Sequence, residues 1–254
     1  MKGITIAMWS GPRSLSTAMM RSFENRNDTY VIDEPFYAHF LDQTKLNHPG
    51  RDLVIQSQST HWDEIVKLCL CKSPQSDKAV FYQKQMAHHN LQGFDISWIK
   101  KVKNCLLIRD PLYVIASYNK KFPLHDERLL GYLQQKKIMK FLKKVNGEYP
   151  IIIDAHDILN EPRSMLRILC NSLGIRFSEK MLSWPKGKRS SDGVWAPFWY
   201  GQVEKTTTFS PFKKKDIKLS GSLLTVYKKS LDIYLEMHEK RLKQDHFINK
   251  NASN

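Results

Sequence analysis

The stretch that decides the fold runs from residue 4 to residue 17 and reads ITIAMWSGPRSLST. Its first half is a short apolar run typical of a buried strand, and its second half consists of small, turn-forming residues. A helical pattern follows, with Leu15, Met19 and Phe23 on one face. The stretch therefore predicts a strand (residues 4–9), a tight loop and a helix (residues 15–24). A loop at a helix N-terminus offers unpaired amides and the positive end of the helix dipole, which favours a bound anion, above all a phosphate.

This loop differs from the Walker A motif of ATPases and kinases. Counted from Gly11, that motif needs Gly and Lys where the chain has Ser16 and Thr17, so the lysine that contacts the β- and γ-phosphates is absent. Arg13 is the only cation of the loop. On this loop alone, an ordinary turn between strand and helix with Arg13 in solvent stays open as the alternative.

Composition limits the class of protein and the kind of partner. The 254 residues suffice for one large α/β domain or two small ones, and 41% of them are hydrophobic, enough for a sizeable core. The formal net charge of +15 favours anionic partners: a nucleotide, a phosphorylated or sulfated substrate, nucleic acid or an acidic membrane surface. A solvated basic surface would give the same charge, so the charge does not choose among these partners.

The cysteines and the start of the chain point to a compartment. Cys69, Cys71, Cys105 and Cys170 form no C-x-x-C pair, which predicts buried thiols rather than metal ligands and fits a reducing compartment. The first residues lead directly into a strand without an apolar leader, and no apolar run approaches the ~20 residues that span a bilayer. We therefore expect a cytoplasmic protein without a transmembrane segment.

Strands and helices alternate along the chain. We predict strands at residues 4–9, 30–32, 79–82, 105–108 and 149–153, and helices at residues 15–24, 61–71, 96–102, 112–121, 128–145, 162–173 and 222–242. This alternation predicts an α/β fold, a three-layer sandwich with a mostly parallel central sheet. We expect one domain over residues 1–245 and a frayed tail over residues 246–254. Because ligands bind at the carboxyl ends of such strands, the loops after Trp9, Tyr82 and Ile108 should meet at the site.

A second motif, RDPLYVIAS, covers residues 109–117. Arg109 ends a buried strand, and Ser117 lies eight residues later, roughly two helical turns on. A guanidinium fork and a hydroxyl donor suit a phosphate. An ion pair for Arg109 and a packing role for Ser117 are the structural alternative.

A third motif, KGKRSSDGVWAPF, covers residues 186–198. A flexible basic loop followed by aromatic residues can hold a phosphate and then stack on a base. A surface loop packed by Trp195 is the alternative.

In this order, the three motifs resemble the sulfotransferase superfamily, whose donor is 3′-phosphoadenosine 5′-phosphosulfate (PAPS). The strand and helix over residues 151–177 add to the resemblance, which extends from residue 4 to about residue 200. It implies a P-loop-like loop that binds the 5′-phosphosulfate, no metal, and a small-molecule or carbohydrate acceptor. The residues that it implies for the donor are, at the 5′ end, Gly11, Pro12, Arg13, Ser14, Ser16 and Thr17; at the 3′-phosphate, Arg109 and Ser117; and over the nucleotide, Lys188, Arg189, Gly193 and Trp195.

The chain departs from the familiar cytosolic members and is closer to bacterial and carbohydrate-type proteins. Those cytosolic members have Lys where this chain has Arg13, and a K-x-H whose His is the base; here the matching residues are Lys84-Gln-Met86. We rank Glu34 first as catalytic base, because the resemblance to bacterial and carbohydrate sulfotransferases that use a Glu in this region favours it. His88 or His89 comes second. Arg13 and Lys84 are the candidate cations for the sulfuryl oxygens.

The leading hypothesis is thus sulfuryl transfer from PAPS to a hydroxyl or amine by in-line attack. A P-loop phosphotransferase is disfavoured, since the loop lacks Gly-Lys and no Mg²⁺-binding acidic motif is evident. The other alternative is a non-catalytic protein that binds nucleotide or nucleic acid through basic segments such as residues 136–144 and 213–218. Nucleic acid is the less favoured partner, a steep salt dependence of binding would identify it, and the oligomeric state is open.

Overall fold

A computed structural model of the protein describes residues 3–71, 78–124 and 126–244, so the predicted tail at residues 246–254 lies outside the described residues. Five strands form one sheet in the order β2-β3-β1-β4-β5, and every neighbouring pair is parallel. The α/β prediction is therefore confirmed. The strands are β1 (Ile4–Ser10), β2 (Thr29–Asp33), β3 (Val80–Met86), β4 (Lys103–Ile108) and β5 (Ile151–Asp154).

Ten α-helices lie in the described ranges, joined in places by short 3-10 helices. None of these helices is long and apolar enough to cross a bilayer. The α-helices are α1 (Ser16–Glu24), α2 (Tyr37–Thr44), α3 (Arg51–Ser57), α4 (Trp62–Leu70), α5 (Pro111–Asn119), α6 (Tyr132–Asn146), α7 (Ala155–Asn160), α8 (Pro162–Leu173), α9 (Ala196–Trp199) and α10 (Gly221–Glu239).

The core lies on both faces of the sheet, because successive side chains of a strand point to opposite faces. Ile6 and Met8 pack with α1 and α8 on one face, whereas Ala7 and Trp9 pack with α5, α6 and α10 on the other. This is the predicted three-layer arrangement. A third, smaller cluster joins α2 to α9 and includes Tyr37, Trp195 and Tyr200.

The predicted helix over residues 128–145 is wrong at its start. A 3-10 helix, Glu127–Leu130, comes first, and α6 begins at Tyr132 after Gly131 turns the chain with φ 80°. A side chain at Gly11 would collide with the carbonyl oxygen of Leu130. Glycine at position 11 therefore lets this turn press directly against the loop after β1.

Other elements confirm or extend the predictions. The strand predicted at residues 79–82 continues to Met86, which places Lys84 inside β3, and α2 and α3 were not predicted. Cys69, Cys105 and Cys170 are buried as expected, whereas Cys71 is half-buried. The carboxyl ends of β1, β3 and β4 lie side by side, so the loops that follow them share one edge.

Candidate active site

The loop after β1 holds an unusual backbone. Arg13 (φ 60°) and Leu15 (φ 72°) are both left-handed, and Ser14 between them is not. Within the described part of the chain, no hydrogen bond uses the amides of residues 14–17 as donors. Alternating backbone of this kind forms an anion-binding nest, here at the positive end of the α1 dipole. Left-handed conformations of non-glycine residues cost free energy and concentrate at functional sites.

The structure brings Arg13, Arg109 and Ser117 together beside this nest. Arg13 donates from Nε to Ser117 Oγ at 2.9 Å and from Nη1 to the Trp199 carbonyl oxygen at 3.3 Å. Arg109 donates from Nη1 to the Arg13 carbonyl oxygen at 2.8 Å, while its buried Nε has no hydrogen-bond partner. Among the described residues, no carboxylate forms a salt bridge with either guanidinium. Neither of these adjacent cations is therefore held in an ion pair.

Burial and the neighbouring charge perturb these guanidiniums. Burial lowers the pKa of Arg13, and the positive charge of Arg109 lowers it further. Burial also lowers the pKa of Arg109, although Tyr132, Asp154 and Asp110 oppose the fall. A bound anion would relieve this repulsion, so the electrostatics favour anion binding.

A cavity of about 600 Å³ lies beside Lys121, two residues after the end of α5. One carboxylate, that of Glu204, and four lysines line it, and no salt bridge joins these lysines to a described carboxylate: Lys121, Lys186, Lys188 and Lys205. Lys188, one of the predicted donor contacts, thus lies at the cavity. Arg189 instead faces the end of α1, where its Nε lies 3.8 Å from Glu24 Oε2.

A second charged cluster occupies the neighbouring strand ends. Asp33 and Lys84 are paired across β2 and β3. Lys84 Nζ donates to Asp33 Oδ1 at 2.9 Å, to Tyr200 Oη at 2.6 Å and to Glu34 Oε1. The Tyr200 hydroxyl in turn donates to Asp33 Oδ2 at 2.7 Å. All three ammonium protons of Lys84 are donated within this cluster, so an external group can gain one only by displacing an acceptor.

Glu34 stands in a strained position in that cluster. Its φ is 40° although Pro35 follows, and a residue before proline favours extended backbone. Such strain persists only where the surroundings impose it, and it is typical of functional residues. Burial raises the pKa of Glu34 and the charge of Asp33 adds to the rise, while Lys84 opposes both. For Lys84, burial lowers the pKa, but the two carboxylates outweigh it and the pKa is raised.

Residues 192–200, called here the closing segment, cover this cluster. The Gly193 amide donates to Asp33 Oδ2 at 3.1 Å, and Trp195 Nε1 donates to Tyr200 Oη at 2.9 Å. A side chain at Gly193 would collide with the Trp195 ring. Asp192 anchors the start of the segment through a salt bridge of 2.6 Å to the buried Arg21.

The two candidate histidines lie on the 3-10 helix Ala87–His89, directly after β3, and both are buried. His89 stacks on Tyr37, and its Nε2 lies 4.0 Å from Glu34 Oε2. His88 packs edge-on against Phe40. Burial lowers the pKa of His88 to about 3 and that of His89 well below its usual range, so both rings are neutral at pH 7. The Nδ1 atom of each ring has no hydrogen-bond partner.

Among the residues that the structure describes, no group of three or more His, Cys, Asp or Glu side chains could hold a metal ion.

Comparisons with known proteins identify the family of this chain. A family model described as "Sulfotransferase domain" matches residues 4–227. The chain belongs to the sulfotransferase family. The model covers both charged clusters, the closing segment and the start of α10.

Two relatives from Arabidopsis thaliana match this sulfotransferase-family chain over most of its length. They are named branched-chain-amino-acid aminotransferase-like protein 1 (37% identity over 229 residues, 90% of this chain and 40% of that protein) and protein 2 (36% over 211 residues, 82% and 37%). The chain therefore spans about two fifths of the length of these relatives.

Solved sulfotransferase domains share the fold. The domain of the Synechococcus PCC 7002 olefin synthase superposes with a TM-score of 0.58 at 16% identity, covering 92% of this chain and 96% of that one. The domain from the curacin biosynthetic pathway gives 0.53 at 15% identity, covering 90% and 97%. At these identities the likeness is one of fold, and it confirms the predicted P-loop-like architecture.

Two site residues of this sulfotransferase-family chain escaped the sequence analysis, Asp33 and Tyr200. Asp33 directly precedes Glu34 at a strand end, so the acidic pair was a visible signal, but its pairing with Lys84 depends on the register of β2 and β3. Tyr200 lies 116 residues from Lys84 in the sequence, and no local pattern connects the two.

Proposed function

We propose that this chain transfers a sulfuryl group from PAPS to a hydroxyl, or an amine, of a small-molecule or carbohydrate acceptor. One observation carries the proposal: Arg13 and Arg109 lie beside a nest of unpaired amides, and neither forms a salt bridge with a described carboxylate. A donor with an anion at each end matches such a site.

The residues at the sheet edge fit this donor. The buried Nε of Arg109 lacks a partner, and the amides of residues 14–17 make no hydrogen bond in the described structure. We assign the 5′-phosphosulfate to the loop of Gly11, Pro12, Arg13, Ser14, Ser16 and Thr17, as the family resemblance implies. The 3′-phosphate belongs with Arg109, Ser117 and the lysine-lined cavity that includes Lys188. Gly193 and Trp195 close over the site, and Arg189 supports the segment through Glu24.

The acceptor side is supported by aromatic residues around Glu34. Tyr37 contacts Trp195 edge-on, stacks on His89, and its hydroxyl lies 2.9 Å from His48 Nδ1. Next to His48 lies a second cavity of about 610 Å³, whose lining includes Phe122 and the polar residues Asn47, Arg51 and Asp52. Aromatic residues beside polar groups suit a sugar ring or an apolar alcohol.

The chemistry assigned to the protein is proton removal and charge stabilisation. When bound, PAPS supplies a sulfuryl group on a phosphate that leaves readily. Glu34, with its raised pKa, takes the acceptor proton as the acceptor oxygen bonds to sulfur and the bond from sulfur to phosphate breaks. Arg13 stabilises the charge on the sulfuryl and phosphate oxygens, and the closing segment excludes water.

Lys84 has a different part in this scheme from the one the sequence suggested. With its three protons donated to Asp33, Glu34 and Tyr200, it keeps the carboxylates charged in the closed arrangement. Lys84 can act on the sulfuryl group only by exchanging one of those acceptors. The names of the Arabidopsis relatives describe proteins that this chain matches over two fifths of their length, so the proposal follows the sulfotransferase domain.

Calorimetry with adenosine 3′,5′-bisphosphate, beside ATP, tests the donor. We expect one site per chain, at least about 100-fold weaker binding for Arg109→Ala, since a buried bidentate contact to a phosphate is lost, and unchanged binding for the surface control Arg163→Ala. Binding to ATP alone would favour a phosphotransferase. Binding to nucleic acid with a steep salt slope, and none to the bisphosphate, would favour the non-catalytic alternative.

A further inference from the structure

Asp33 is the most completely hydrogen-bonded carboxylate of the site, and the proposed chemistry does not use it. Its side chain is 2% exposed. Oδ1 accepts from Lys84, and Oδ2 accepts from the Tyr200 hydroxyl and the Gly193 amide. One donor comes from the sheet and two come from the closing segment, so Asp33 is the point at which segment and sheet are joined.

The charges of the cluster do not balance. It holds two carboxylates, Asp33 and Glu34, and a single ammonium, Lys84. Asp33 has two further donors besides Lys84, whereas the second oxygen of Glu34 faces only His89, at 4.0 Å. Burial penalises a carboxylate more when fewer donors reach it, and only one oxygen of Glu34 accepts hydrogen bonds. The uncompensated negative charge therefore falls on Glu34.

We propose that Asp33 is a positioning residue that joins the closing segment to Lys84 and thereby makes Glu34 the basic carboxylate of the closed site. The inference rests on the proposed function only in giving Glu34 the part of base. Opening of the segment would remove the Tyr200 and Gly193 donors from Asp33 and the cover from Glu34, so the burial that raises the pKa of Glu34 would be reduced. The basicity of Glu34 is in this way linked to closure.

The groups that face Glu34 come from five elements. They are Asp33 on β2, Lys84 on β3, Tyr200 after α9, His89 on the 3-10 helix and Tyr37 on α2. Burial lowers the pKa of His89 and raises the pKa values of Tyr37 and Tyr200, so these three rings stay neutral around pH 7. Because these rings carry no charge around pH 7, they do not obscure the titration of Glu34 there.

Asp33→Asn is the decisive variant. It keeps the shape and an acceptor for Lys84, and it leaves a neutral pair of one ammonium and one carboxylate. Removing the negative neighbour stabilises the Glu34 carboxylate, so the pKa of Glu34 should fall by at least about one pH unit. Carboxyl ¹³C resonances of the full chain labelled with ¹³C-glutamate report this titration without any turnover. The resonance that disappears in Glu34→Gln identifies the residue.

Asp154→Asn is the matched control, because Asp154 is also a buried carboxylate at a strand end that accepts a tyrosine hydroxyl, that of Tyr234. It should leave the titration of Glu34 unchanged. An unchanged titration in Asp33→Asn, or an equal shift in the control, would overturn the inference. If the wild type does not bind adenosine 3′,5′-bisphosphate, the proposed function is overturned, but the effect of Asp33 on the titration of Glu34 is not.

Tyr200→Phe tests the joining of segment and sheet separately, and it changes no charge. Without the hydroxyl that donates to Asp33, hydrogen exchange at the Gly193 amide should be at least about tenfold faster, because the closing segment opens more often. Exchange that is no faster would show that Asp33 does not hold the segment. This measurement also decides the question if Asp33→Asn does not fold.

Discussion

Two charged clusters lie along one edge of the sheet, and they are constructed in opposite ways. At the end of β1 and β4, Arg13 and Arg109 bond to a hydroxyl and to carbonyl oxygens and form no salt bridge with a described carboxylate. At the end of β2 and β3, the ammonium of Lys84 is fully satisfied by Asp33, Glu34 and Tyr200. The cations of the first cluster thus have no ion-pair partner, whereas the second cluster has one ammonium and two carboxylates, one carboxylate in excess.

Under the proposed function, this difference separates the residues that bind the nucleotide from those that move the acceptor proton. Partly buried cations without ion-pair partners carry a desolvation cost, and an anionic ligand would offset that cost. The cluster of Arg13 and Arg109 therefore favours anion binding at some expense of the stability of the fold. A buried cluster with paired charges depends on every member, since removal of one leaves the others uncompensated. Changes in the first cluster should therefore alter nucleotide binding, and changes in the second should alter turnover or folding.

The largest expected effect is on turnover, from Glu34→Gln. Removal of a positioned base typically costs about 10²–10⁴-fold in rate, and this loss is expected from the part of base proposed for Glu34. The proposed nucleotide site lies in the other cluster, so nucleotide binding should be unchanged. Steady-state kinetics with an accepted alcohol, beside calorimetry, would show this separation. Glu179→Gln, a surface change, is the control. Equal losses of rate and binding in Glu34→Gln would contradict the separation of the two clusters.

The next effect is on stability, from Lys84→Met compared with Arg13→Met. Without Lys84 two buried carboxylates face each other, so the free energy of unfolding should fall by about 3–5 kcal/mol at pH 8. Arg13→Met leaves no charge unpaired and should stay within about 1 kcal/mol of the wild type. Urea unfolding followed by tryptophan fluorescence measures both. Similar losses for the two variants would contradict the comparison.

The smallest effect is on affinity, from Ser117→Ala. The Ser117 hydroxyl orients Arg13 by accepting from its Nε, and one such bond is worth about 1 kcal/mol, or roughly fivefold in affinity for adenosine 3′,5′-bisphosphate. Ser57→Ala removes a hydroxyl that donates to the Val54 carbonyl on α3 and should leave affinity unchanged. An unchanged affinity in Ser117→Ala would remove that hydroxyl from the binding site.

The parts of the site that the sequence predicted are those encoded by continuous segments. The loop at residues 10–17 and the element from Arg109 to Ser117 each join a strand end to a helix, so their residue types and spacing suffice to place them. Their meeting follows from the parallel sheet. The structure adds that Arg13 bonds directly to Ser117, a contact across 104 residues.

The parts that escaped prediction depend on register and on distant packing. The pairing of Asp33 with Lys84 requires the alignment of β2 on β3, which β-branched and apolar residues alone do not fix. Tyr200 reaches Lys84 from a segment in which the Trp195 ring packs closely against Gly193, and no local pattern predicts that packing. Gly131, which delays the start of the predicted helix to Tyr132, packs against Gly11 of the loop after β1, a contact that the local sequence does not show.

The central place of β1 has a consequence for how the chain is made. Residues 6–10 of β1 are buried, and its partners β3 and β4 end only at Met86 and Ile108. At about 5–20 residues per second, the ribosome needs roughly 5–20 s to reach the second partner after β1 is complete. Until then this apolar strand lacks at least one of its two neighbours. Slower synthesis lengthens this exposure, and chaperones that hold apolar segments should raise the yield of folded protein.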